Sequence, residues 1–72
     1  MQITKTVRLS GESDESIEAA IAAVLKRATA SLRDVQAYEV VRVGGHHDAT
    51  DGWVHEVICD VTFGVKDAAA HG

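Results

Sequence analysis

Six apolar residues at helical spacing, enclosed by three β-branched stretches, constrain this chain more than any other feature. Ile17, Ala20, Ile21, Val24, Leu25 and Ala28 fall at i, i+3, i+4, i+7, i+8 and i+11, a single stripe along one helix. Ser13 reads as its N-cap, and Asp14 and Glu15 suit the positive end of the helix dipole. Lys26, Arg27 and Arg33 suit the opposite end. The spacing predicts a helix from about Asp14 to Leu32. One helix with one apolar stripe must be covered, and strands are all that remain to cover it.

From Gln2 to Leu9, Ile3, Lys5, Val7 and Leu9 alternate with Thr4, Thr6 and Arg8, the period of a half-buried strand. Ser10-Gly11 is expected to end it. Val35 to Val43 is β-branched and reads as a second strand, and Gly44 to Gly52 reads as a polar hairpin loop. Trp53 to Val65 forms a third strand. Its odd positions Val57, Cys59, Val61 and Phe63 are the natural seat for the helix stripe, with Trp53 as an aromatic lid at the edge of the core. A helical crossover sets strand two parallel to strand one, and a hairpin returns antiparallel. The expected fold is α+β: βαββ, a three-stranded antiparallel sheet ordered 2-3-1, packed on one helix. It forms a single domain over 1–72, with an ordered core over 1–65 and a tail over 66–72 that is expected to fray.

A chain of 72 residues buries only about 60% of the surface its unfolded form exposes, so a lone subunit is marginal. One cysteine excludes an internal disulfide and agrees with a reducing, cytoplasmic setting. The remaining remedies are a bound metal and self-association. Self-association is also suggested by the pattern, because Val54 and Ile58 fall on the strand face away from the helix, and strand two is apolar on both faces. Seven basic residues against eleven acidic leave a net charge of −4 with no basic cluster, which speaks against nucleic acid. No apolar run approaches the roughly 18 residues of a membrane span, and MQITKTVRLS lacks the apolar core of a signal peptide.

Chemistry is sparse. Cys59 falls mid-strand on the helix-facing row and reads as a small buried hydrophobe rather than a nucleophile. His46 and His47, beside Asp48 and Asp51 and near His55, have the right types for zinc but no regular ligand spacing; a solvated loop is the simpler reading. Glu39 and Glu56 share the face away from the helix and are expected to lie opposite or diagonal. Two anions so placed need a cation such as calcium, an arginine such as Arg42, or a raised pKa. Glu39, Glu56 and Asp60 are the candidate metal ligands, set against an ordinary salt bridge.

The βαββ order, the segment LSGESDESIEAAIAAVLKRA and the later AYEVV…HEVICDVTFGV together resemble the dodecins, small flavin-binding proteins that assemble as hollow dodecamers. The similarity runs from Gln2 to Val65 and rests on Gly11, Ser13, Ser16 and Ala20, Arg27-Ala28, Glu39-Val40 and Val61-x-Phe63. It implies a non-enzymatic homo-oligomer that stores a small ligand, by default riboflavin or FMN. The implied cofactor-binding positions are Ala37, Arg42 and Glu56. In typical members a tryptophan stacks on the flavin across a two-fold axis, where this chain has Ala37. A glutamine binds the polar edge of the ring, where this chain has Glu56. Losing the indole removes a stacking surface, and a carboxylate lacks the amide's donors and brings a charge to desolvate. Some dodecin-like proteins without the tryptophan are similarly thought to bind cations, so a flavin-free assembly holding a divalent ion is the alternative.

Overall fold

The computed structural model describes residues 2–65; the tail expected over 66–72 lies outside them. Strand β1 (Thr4–Ser13) is followed by helix α1 (Ile17–Ser31) and then the hairpin of β2 (Val35–Asp48) and β3 (Gly52–Gly64). Both β1 and β2 pair antiparallel with β3, which gives the expected sheet with β3 in the centre.

The helix begins three residues later than predicted, because Ser16 and not Ser13 is its N-cap. The Ser16 hydroxyl accepts from the Ala19 amide at 2.9 Å. Ser13 instead accepts from the Glu15 amide at 3.0 Å while still pairing with His55, so it closes the strand. Nor does Gly11 end β1. It lets the helix approach the sheet, since a Cβ there would collide with Val24 Cγ2 and lie 3.3 Å from the Ala20 carbonyl oxygen. The polar loop expected over Gly44 to Gly52 is largely strand: Gly44↔Glu56 through Asp48↔Gly52 continue the ladder. Its tip is short because the Asp48 carboxylate accepts from the amides of Thr50 at 2.7 Å and Asp51 at 3.0 Å, and Gly52 takes φ 78°.

The core is where the stripe met the row. Ala20, Val24 and Ala28 of α1 are buried against Val57, Cys59 and Val61 of β3. Val7, Leu9, Ile17, Ile21, Leu25, Leu32, Val35 and Val40 border them. Alternation then turns Glu56, Ile58, Asp60 and Thr62 to the other face, called the outer face below.

The apolar excess falls on β2, as the sequence suggested, and not at Val54 and Ile58 of β3. Val54 is buried and Ile58 half-buried. Among the exposed apolar residues are Tyr38 and Val43 of β2, about half exposed, whose partners Val61 and Val57 belong to the helix-facing row. The helix lies over the β1–β3 half of the sheet and leaves this part of β2 bare. The subunit exposes 5202 Å², against roughly 4300 Å² for a monomeric protein of this mass. Its radius of gyration is 15.2 Å, against roughly 11 Å for a compact chain of this length.

Candidate functional site

The outer face is where the charges gather. Its first cluster is formed by Arg8 of β1, Asp60 of β3 and Glu39 of β2, which are register partners across the three strands. Arg8 Nε and Nη2 donate to the two Asp60 carboxylate oxygens at 2.8 and 3.1 Å. That fork holds the Asp60 carboxyl below its usual range and raises the guanidinium further. Glu39 therefore faces Asp60, not Glu56 as expected. The register slips at Val41, and Glu56 lies opposite Gly44. Glu39, Glu56 and Asp60 do not meet as one ligand set within a subunit.

Glu56 belongs to a second cluster, with partners the sequence did not supply. Glu12 of β1 stands directly opposite it. His46 of β2, two residues beyond Gly44, reaches it diagonally, with Nδ1 3.1 Å from Glu56 Oε1. One ligand atom from each of Glu12, His46 and Glu56 lies within 4.8 Å of the other two. The contact with His46 lowers the Glu56 pKa, and the same contact raises that of the imidazole, helped by Glu12 and Asp48. Beside this cluster is a cavity of about 280 Å³ walled by Ser10, Glu12, Arg42, Gly44, Glu56 and Ile58 among others. Two of the three positions that the resemblance implied for a cofactor, Arg42 and Glu56, thus line one outer-face cavity.

Ala37 does not join them. It pairs with Thr62, six residues along β3 from Glu56, which is about 20 Å of strand. A small ligand touching both positions must take them from different subunits. Tyr38 pairs with Val61 on the helix-facing side, so it does not replace the missing aromatic ring. Trp53 is not a lid on the core: it is 64% exposed and makes an edge contact with His47, ring centroids 5.2 Å apart. Cys59 is fully buried, and burial pushes its thiol pKa up, as suits a packing residue.

Glu12 is hidden in the sequence because Ser10-Gly11 reads as the end of β1. Extending the polar row Thr6, Arg8, Ser10 by one more step would have found it. His46 reads as a loop residue because the glycines and aspartates of 44–52 are turn formers, although only 49–51 form the turn.

Comparison with known proteins agrees with this architecture. The dodecin family model matches residues 3–66. The dodecin of Thermus thermophilus is 33% identical over 66 residues, spanning 92% of this chain and 96% of that protein. A crystal structure of an arginine-to-alanine mutant of T. thermophilus dodecin matches with a TM-score of 0.85 at 32% identity, over 94% of this chain and all of the other. The calcium dodecin of Mycobacterium tuberculosis, a calcium-chelating antigen with its own calcium-binding site, gives a TM-score of 0.81 at 23% identity. It spans 92% of this chain and 94% of its own, and the likeness is one of fold alone.

Proposed function

The chain belongs to the dodecin family, and on that premise we propose that it is a non-enzymatic, cytoplasmic homo-oligomer, a dodecamer, that binds and stores a small ligand between its subunits. Flavin, as riboflavin or FMN, is the ligand the family favours. The observation that carries this reading is the position of Ala37, Arg42 and Glu56: all three fall on the outer face, yet Ala37 is about 20 Å along the sheet from Glu56. Such a set serves one ligand only when copies of the chain supply different parts of it. The surplus surface of the subunit and the bare Tyr38 and Val43 support the same assembly.

Light scattering behind gel filtration tests the assembly, and quenching of flavin fluorescence tests the ligand. A stable monomer sinks the whole reading. Saturable quenching of riboflavin or FMN is expected, weaker than in Ala37→Trp, which restores the stacking ring. If neither wild type nor Ala37→Trp quenches either flavin, the ligand is not a flavin.

A second reading is favoured by Glu12 standing opposite Glu56, a like-charge pair that is unfavourable without a cation. In it, the same assembly holds calcium or another divalent ion at outer-face carboxylates, and a calcium-binding protein of the same fold lends it weight. Metal content after purification without chelator tests it, and metal-free protein that takes up no added divalent ion rejects it.

A further inference from the structure

Each strand contributes one donor to the second cluster: Glu12 from β1, His46 from β2 and Glu56 from β3. The three are held by ladder pairing rather than by loops. Glu12 is locked opposite Glu56, and Gly45 brings the β2 backbone in beside them. A Cβ at Gly45 would lie 2.6 Å from the Val54 carbonyl oxygen, so only glycine allows β2 to approach this closely just before His46. Gly44, opposite Glu56, has open space where a side chain would stand. The gap leads into the cavity of about 280 Å³.

The spacing suits a small ion. Metal–ligand bonds of about 2.1 Å in a tetrahedron set donor atoms roughly 3.4 Å apart. His46 Nδ1 and Glu56 Oε1 are already 3.1 Å apart, and Glu12 completes a group spanning at most 4.8 Å. The donor chemistry then selects the ion. Calcium wants six to eight oxygens, whereas an imidazole nitrogen with two carboxylate oxygens suits zinc and its neighbours. A neutral imidazole leaves the two carboxylates with only Arg42 as a nearby cation, and Arg42, which lines the same cavity, makes no described hydrogen bond to either of them. A divalent ion supplies that charge and turns a repulsive cross-strand pair into a clamp across three strands.

We propose that Glu12, His46 and Glu56 form a three-ligand site for a zinc-class divalent ion on the outer face of each subunit, with water from the adjoining cavity completing the coordination. The proposal rests on the second reading above and adds to it the class of ion and the imidazole ligand.

The test uses the full-length assembled protein stripped of metal by a chelator, with Zn²⁺, Co²⁺ and Ca²⁺ as probes. Zn²⁺ is expected to bind at one ion per chain, and Co²⁺ to give visible absorption of a nitrogen- and oxygen-ligated ion. On adding Zn²⁺, the ring resonances of His46 should shift more than those of His47 or His55. His46→Ala and Glu12→Gln should each weaken Zn²⁺ by roughly tenfold or more, and His47→Ala should leave it unchanged. Should either variant fail to assemble, the His46 resonances of wild type decide alone. Unshifted His46 resonances, or full Zn²⁺ affinity in His46→Ala, overturn the proposal. Calcium binding as tight as zinc overturns it while the second reading stands. Binding of none of the three ions removes both.

Discussion

Asp60 and Glu56 lie on the same strand and the same face, each paired directly with a residue of β1, yet their charges are answered in opposite ways. Asp60 receives a two-toothed guanidinium, a donor that is charged at every ordinary pH. Both face another carboxylate across the ladder, Glu39 for Asp60 and Glu12 for Glu56, but Glu56 receives only a single imidazole contact. The first arrangement is closed: both Asp60 oxygens are used, and the pair bolts β1 to β3. The second is open, with a donor whose charge follows pH, a facing anion and a cavity alongside. A satisfied charge pair holds a fold together, and an unsatisfied one marks where a fold can bind something.

The harshest way to break the comparison is Gly45→Val, which drives a side chain into the Val54 carbonyl. A strained insertion of this kind costs about 1–3 kcal/mol, and each kcal/mol lowers Tm by roughly 4–8 °C in a domain of this size. Calorimetry at matched protein concentration measures the fall, because the stability of an assembly depends on subunit concentration. The His46–Glu56 contact should be lost with it, while the Asp60 carboxyl still titrates low. Equal disturbance of both clusters would show that they are not independent.

A gentler change sharpens the contrast by making the open cluster resemble the closed one. Glu12→Arg places a guanidinium opposite Glu56, and thermal melts at pH 7 should show a higher Tm than wild type. The converse, Arg8→Ala, leaves Asp60 without its fork. Its carboxyl pKa should climb toward the ordinary 3.8, read by carboxyl carbon NMR. Because that pKa is lowered in the folded state, the stabilisation is present above 3.8 and fades as pH falls through the folded value. Wild type and Arg8→Ala should therefore differ in Tm near neutrality and converge in strong acid.

The smallest effect belongs to the imidazole in metal-free protein. His46 has a raised pKa, so its contribution is complete below 6.5 and is lost as pH rises through the folded value. Glu56 has a lowered one, so its share is complete above 4.5 and is lost as pH falls through the folded value. The Tm difference between wild type and His46→Ala should peak at about pH 5.5 and shrink on both sides. A flat difference across that range would mean that the contact carries no ionic character.

How much of this could be seen in advance depended on the kind of signal. The stripe Ile17 to Ala28 and the row Val57, Cys59, Val61 were legible because burial repeats at a fixed period, and they met as expected. The ends of elements were less so. Ser16 and Ser13 are equally good caps by type, and only the pairing of Ser13 with His55 excludes it. Glycine misled twice. At Gly11 and Gly45 it marks close approach of another backbone or side chain, not a turn, and the two uses look identical in a string of letters.

By itself, then, the sequence determined the βαββ order, the central place of β3, the buried row under the helix and the family, since each follows from periodicity carried over many residues. Which carboxylate met which partner was decided only by the tertiary structure. The turn at 49–51 sets Glu56 opposite Gly44, the β1 register sets it opposite Glu12, and a one-residue slip at Val41 brings Glu39 opposite Asp60 rather than Val61. Register is set by the competition of whole ladders of hydrogen bonds and side-chain pairs, and no local pattern around Glu39 or Glu56 records its outcome.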